Sequence, residues 1–217
     1  MANPTYNLKV KRRVAGSNTF DSNAQIVNTQ NYEIAQFSSL DVASNGDLYV
    51  TFFASTGGTN YGIYVAKSTD GGNSFSPEQK ISNIAFPEIF SGNTPVAGIS
   101  DDRLYPCPHV AVDKSDGVNA GNIYVTWTAY GINNQDTDGL DIYISSSSDG
   151  GNTWSTPIVV NDDTDPDAHQ IYSSIEVTRT GIVAISWYDR REDAANNLLT
   201  HYSVSYTHLT LPTICSV

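Results

Sequence analysis

Ser68-Thr69-Asp70-Gly71-Gly72-Asn73-Ser74-Phe75-Ser76 and Ser147-Ser148-Asp149-Gly150-Gly151-Asn152-Thr153-Trp154-Ser155 are two copies of one phrase, Ser-x-Asp-Gly-Gly-Asn-Ser/Thr-aromatic-Ser. Each follows a strand-like run, Gly62 to Lys67 or Leu140 to Ser145, and each precedes a Pro and another short apolar run. A repeat sets the architecture. The physics of the phrase is that of a tight hairpin: the Asp carboxylate accepts backbone N–H groups of its own turn, the glycines allow φ > 0, and the aromatic residue drops back onto the sheet. Such a turn stabilises a fold and performs no chemistry, so Ser68, Asp70, Gly72, Phe75, Ser147, Asp149, Gly151 and Trp154 are structural candidates.

Outward from the two turns, β-branched and aromatic runs bounded by Gly, Asn and Asp recur, with no amphipathic helix period. Phe37 to Val42, His109 to Val112 and Tyr172 to Val177 align as first strands, and Gly46 to Phe53, Gly121 to Thr128 and Gly181 to Tyr188 as second strands. Third strands are Gly62 to Ser68, Leu140 to Ser147 and Asn197 to Tyr202; Gln79 to Ile81 and Pro157 to Val160 are fourth strands. The expected fold is therefore all-β, a partial β-propeller of four-stranded antiparallel blades: two blades and the start of a third. Residues 1–32 are a leader or partial blade, 33–97 and 98–165 are blades, 166–203 an incomplete blade and 204–217 a tail. Propellers close a ring of typically four to eight blades. The inner strands, apolar almost throughout, need cover on both faces, so the outermost faces of this set are expected to be bare.

The 217 residues carry 23 acidic and 11 basic side chains, a net charge of −12. That balance argues against a nucleic-acid partner, because phosphate contacts need clustered Lys and Arg. Lys9, Lys11, Arg12 and Arg13 form one basic cluster, read as a solvated strand or leader. No run of about 18 apolar residues is present, so no membrane span is expected. Without the tail a single cysteine, Cys107, is left, which excludes an intrachain disulfide and Cys-based metal motifs.

In an antiparallel meander both repeated turns lie at one end of the blades. The opposite end gathers Asp101 to Pro106, Tyr130 to Asp138, Asp162 to Gln170 and Tyr188 to Asp193, longer and more charged loops of the kind that carry function. Arg103, Tyr105, His169, Asp189, Arg190 and Arg191 are the substrate-binding candidates there, an arginine fork being suited to a carboxylate. Tyr188-Asp189-Arg190-Arg191-x-Asp193 has a second reading as an internal Asp–Arg network. Asn134, Asp136 and Asp138 open like a calcium loop, but its twelfth position is Ser145 rather than Glu, so no cofactor is assigned and calcium is the weak alternative.

The repeated phrase resembles the Asp box, the bacterial neuraminidase repeat of the sialidase superfamily. Ala111-Val112-Asp113, Ile123-Tyr124-Val125-Thr126-Trp127 and Trp187 to Arg191 resemble phrases of secreted bacterial repeat proteins often labelled sialidase-like, and the resemblance covers about Tyr32 to Tyr202. It implies an extracellular or cell-surface protein acting on glycans, as an exo-glycosidase of sialidase type, or alternatively a non-catalytic propeller that binds carbohydrate or protein. It also implies an active site opposite the boxes, built from an arginine triad, an Asp acid/base and a Tyr–Glu pair. The family's Arg-Ile-Pro motif is not matched, since Arg103-Leu104-Tyr105-Pro106 has one residue too many, and no catalytic residue is carried over. Val204 to Thr213 resembles the translation of a transposon-based sequencing adapter, with Ile214 to Val217 fitting the index that follows. The natural chain is then expected to stop near Tyr202 or Ser203, to continue as missing C-terminal blades in the complete protein, and the tail to carry no structure.

Overall fold

A computed structural model describes residues 6–86, 104–132, 139–165, 167–193 and 200–206, the last of these as backbone. Every described element is a strand. In the first blade β3 (Ile34–Val42), β4 (Leu48–Ser55), β5 (Tyr61–Ser68) and β6 (Gln79–Ala85) form an antiparallel meander, preceded by the short pair β1 (Lys9–Val10) and β2 (Gln25–Ile26). The second blade is β7 (His109–Val112), β8 (Ile123–Ala129), β10 (Asp141–Ser147) and β11 (Ile158–Val159), in that spatial order. The third is β12 (Gln170–Val177), β13 (Val183–Asp189) and β14 (Thr200–Tyr206).

Three features depart from the sequence reading. The first blade has five strands rather than four, because β9 (Gly131–Ile132), arising from the loop after β8, pairs with the outer edge of β6. An open edge is a template for any nearby extended segment. Second, β14 runs through Val204-Ser205-Tyr206, whose backbone pairs with Ile185, Ala184 and Val183, so strand structure extends past the expected boundary at Ser203. The cause is the same, an unpaired β13 edge beside an alternating Val-Ser-Tyr run. Third, the outer face of the first blade is not bare. Val50, Phe52, Ala54, Tyr64 and Ala66 are buried beneath Val27, Tyr32, Leu8 and Val10 of the N-terminal segment.

Two further apolar layers lie between blades. Trp127, Val125 and Tyr143 pack with Tyr49, Phe53 and Ile63 between the first and second. Tyr124, Ile142 and Ile144 pack with Ile175, Ile185 and Trp187 between the second and third. Second strands buried on both faces are the reason for their continuous apolar runs.

The three first strands share one distortion. Phe37, Cys107 and Tyr172 have φ of +54°, +41° and +56°, and each stands five residues before the last residue of its strand, Val42, Val112 or Val177. The β3–β4 and β12–β13 registers slip there. A left-handed non-glycine residue costs about 1–2 kcal/mol, so packing must hold it. The Phe37 ring lies tilted against Tyr105 with centroids 4.3 Å apart, and the Tyr172 amide donates to Thr128 Oγ1 at 3.2 Å. These bulges re-aim the strand ends that lead into the charged loops.

Candidate functional site

The two ends of the blades differ in chemistry. At one end are the repeated turns. Asp70 Oδ1 accepts from Ser68 Oγ, Asn73 N and Ser74 N at 2.8, 2.9 and 3.0 Å, and Oδ2 accepts from Ser74 Oγ at 2.6 Å. Asp149 repeats the set with Ser147, Asn152 and Thr153. Gly71, Gly72, Gly150 and Gly151 all have φ between +69° and +86°, as the turn requires. Phe75 and Trp154 pack partly buried against the sheets, as their positions predict. The turns also join blades: the Gly150 carbonyl accepts from Tyr49 Oη and Lys67 Nζ at 3.2 and 3.3 Å, and Lys67 pairs with Asp47 at 2.8 Å.

The donors around Asp149, first the Thr153 hydroxyl and then its amide, hold its carboxyl down at about 2. A carboxylate with a depressed folded value contributes stability that is complete above its ordinary value of 3.8 and lost as pH falls towards 2. Asp149→Ala is therefore expected to lower the thermal midpoint at neutral pH, to flatten the midpoint's fall between pH 4 and 2, and to leave ligand binding unchanged. Thermal melts across that range check it; weakened binding at unchanged stability would place the turn in the site.

At the other end the structure brings together residues from four segments. Asp189, fully buried at the end of β13, accepts five hydrogen bonds: Gln170 Nε2 at 3.4 Å, Trp187 Nε1 at 2.9 Å, and Arg191 N, Nε and Nη2 at 2.9, 2.9 and 2.7 Å. These donors outweigh burial and keep its carboxyl below the ordinary range. Arg191 also reaches Asp162 at 2.6 Å. Asn161 Nδ2 donates to Asp141, Asp163 and Gln170, tying the β11–β12 connection to the same network. Asp189 and Arg191 are thus joined in an internal Asp–Arg network.

Arg190 is different. It is 2% exposed, and its Nε and Nη1 atoms have no hydrogen-bond partner. Burial lowers its affinity for a proton, against a weaker pull from Asp193. His169 is also buried. Its Nδ1 accepts from Leu140 N at 3.1 Å, which leaves any ring proton on Nε2, and its ring meets Tyr130 edge-on at 6.1 Å. Burial first, and then the charge of Arg190, hold His169 neutral by lowering its value. Tyr130 joins the site because β9 anchors the residues after it to the first blade; no sequence signal marks that.

Tyr105 is placed elsewhere, packed against Phe37 and the layer between the first two blades. Arg103, Asn134, Asp136 and Asp138 lie outside the described residues. Among the described residues no group of three or more His, Cys, Asp or Glu side chains is placed to hold a metal. Burial pushes the Cys107 thiol up to about 11, which leaves it unreactive at neutral pH. A hollow of about 220 Å³ lies beside the second turn, lined by Ile144, Ser145, Ser155 and Ile158, and holds no titratable group. Among the described residues no helix is long and apolar enough to cross a membrane.

No family model matches the sequence, and no curated protein matches it significantly. Solved structures do. A Hadza microbial sialidase aligns at 20% identity with a TM-score of 0.55, over 81% of this chain and 36% of its own. An α-L-arabinofuranosidase from Fusarium graminearum aligns at 15% identity and a TM-score of 0.53, over 94% and 50%. An ulvan lyase aligns at 14% identity and 0.51, over 94% and 47%. The shared property is the fold, a β-propeller, and this chain spans between about a third and a half of the length of those structures.

Proposed function

We propose that the chain is part of a sialidase-like propeller directed at glycans, and that its loop end opposite the repeated turns receives an acidic sugar. The observation that carries this reading is the Arg190 guanidinium, buried with two nitrogens unpaired beside a neutral His169. A buried guanidinium with unpaired N–H groups is a high-energy arrangement that a carboxylate relieves by accepting charge-assisted hydrogen bonds from them. Support comes from the propellers of similar fold, whose names describe a sialidase, an arabinofuranosidase and a lyase of the polysaccharide ulvan. An extracellular or cell-surface location is part of the proposal.

A non-catalytic binding role is the second reading. What favours it is the state of the carboxylates at this end: Asp189 is saturated with donors, Asp162 is engaged by Arg191 and Asp163 by Asn161. None of these three stands as a free acid/base.

Titration calorimetry with a sialoside and with a neutral arabinoside tests the site. The acidic sugar is expected to bind preferentially, and Arg190→Met to weaken it by roughly tenfold to a hundredfold, the worth of charge-assisted hydrogen bonds. The same variant is expected to melt at a higher temperature, because an uncompensated buried charge is removed. Equal affinity for both sugars, or affinity unmoved by Arg190→Met, would overturn the reading. Turnover of a fluorogenic sialoside by the longer protein separates enzyme from binding module.

A further inference from the structure

The N-terminal segment repeats the geometry of the turns that follow it. Val14-Ala15-Gly16-Ser17-Asn18-Thr19-Phe20 aligns with Thr69-Asp70-Gly71-Gly72-Asn73-Ser74-Phe75 and with Ser148-Asp149-Gly150-Gly151-Asn152-Thr153-Trp154. Ala15 stands where the Asp does, and Gly16, like Gly71 and Gly150, has positive φ. The strands on either side pair alike. Val10, five residues before Ala15, pairs with Gln25; Val65 and Ile144, five before Asp70 and Asp149, pair with Gln79 and Ile158. The N-terminal hairpin differs by one extra residue in its turn.

Its docking onto the next sheet is also the same. Lys67, three residues before Asp70, donates to the Gly150 carbonyl of the second blade at 3.3 Å. Arg12, three residues before Ala15, donates to the Gly71 carbonyl of the first blade at 3.1 Å. Leu8, Val10 and Val27 pack over the face of the first blade that contains Val50 and Phe52. Phe20, by contrast, is 61% exposed, although Phe75 and Trp154 at the same position pack against a preceding sheet. So β1 and β2 are placed as third and fourth strands, with β1 in the position of β5 and β10. In each described blade the third strand is flanked by a second strand, as β5 is by β4, β10 by β8 and β14 by β13. Among the described residues β1 pairs only with β2, and a two-stranded ribbon is marginal by itself.

We propose that residues 6–32 are the outer half of a further propeller blade with a vestigial turn, and that the free edge of β1 binds the inner half, a hairpin of first and second strands of this protein's own repeat. Because β4, β8 and β13 are each engaged by their own third strands, the hairpin is an additional copy carried by a longer form of the same polypeptide. This inference is independent of the glycan reading.

The test appends a copy of residues Gln170–Asp189 to the N-terminus through a short Gly/Ser linker, so that it enters β1 as a second strand enters a third. Amide exchange at Lys9 to Arg12 is expected to slow by about tenfold or more in a monomer, with a raised thermal midpoint. The same extension with its four isoleucines changed to Ser is expected to do neither. Unchanged exchange with the intact hairpin overturns the docking. Protection that appears without the extension, together with dimerisation, assigns the edge to a second copy and overturns the single-chain origin. Rebuilding the turn with Arg13→Ser, Ala15→Asp and Ser17→Gly is expected to protect the Asn18 and Thr19 amides, as Asp70 engages those of Asn73 and Ser74; their continued fast exchange overturns the vestigial-turn assignment.

Discussion

Asp189→Ala is expected to destabilise the chain by roughly 3–5 kcal/mol, the range for removing one partner of a buried charged pair. The carboxylate is fully buried, and its removal takes away the acceptor of the buried Trp187 indole N–H and of three Arg191 donors. Asp189→Asn retains one acceptor oxygen and is expected to fall between wild type and Ala. Urea unfolding at pH 7 measures both; a loss below about 1 kcal/mol for Ala would show that the network does not hold the end of β13. Because the carboxyl sits below its ordinary value, its contribution is complete above pH 3.8 and is lost as pH falls through the lower folded value. The wild-type advantage over Asp189→Asn should therefore shrink on acidification.

Glu78→Ala is expected to cost roughly 3 kcal/mol or more and to act on one region. The carboxylate accepts from Thr29 N and Oγ1 at 2.8 Å, Gln30 N at 3.0 Å and Tyr32 Oη at 3.0 Å, and so pins the segment that covers Phe52 and Tyr64. Hydrogen exchange should rise across residues 6–32 and the first blade while the layer around Trp187 keeps its protection. Ionisation of Tyr32, pushed far up first by burial and then by Glu78, should shift downward once the Glu78 contribution is removed. Uniform loss of protection over all three blades would show instead that the segment and the blades unfold as one unit.

The strand positions and the two turns were legible because both rest on local physics. The continuous apolar, β-branched and aromatic runs Leu48 to Phe53 and Ile123 to Thr128 and the Asp-Gly-Gly-Asn phrase each need only their own residues. What escaped depends on contacts between distant segments. Nothing in Phe37, Cys107 or Tyr172 announces positive φ, since each is held there by tertiary packing. β9 forms because β6 has an open edge, which the residues of Gly131–Ile132 do not encode. Arg190 and Arg191 are adjacent and chemically alike, but in the turn after β13 they part: Arg191 folds back onto Asp189, and Arg190 is buried with Nε and Nη1 unpaired. The sequence listed both as candidates, and geometry separates them. The N-terminal hairpin lost its Asp to Ala15, and with it the strongest letter of the repeat.

The contact that joins one blade to the next uses a main-chain oxygen as acceptor, Gly71 for Arg12 and Gly150 for Lys67. Every turn of this shape presents that oxygen whatever its side chains are, and either cation on the neighbour can reach it. A duplicated copy of the unit would therefore arrive already able to join its neighbour without matched substitutions on both sides. Arrays built this way can lengthen by gene duplication first and diversify afterwards, leaving the loops at the far end free to drift toward new ligands.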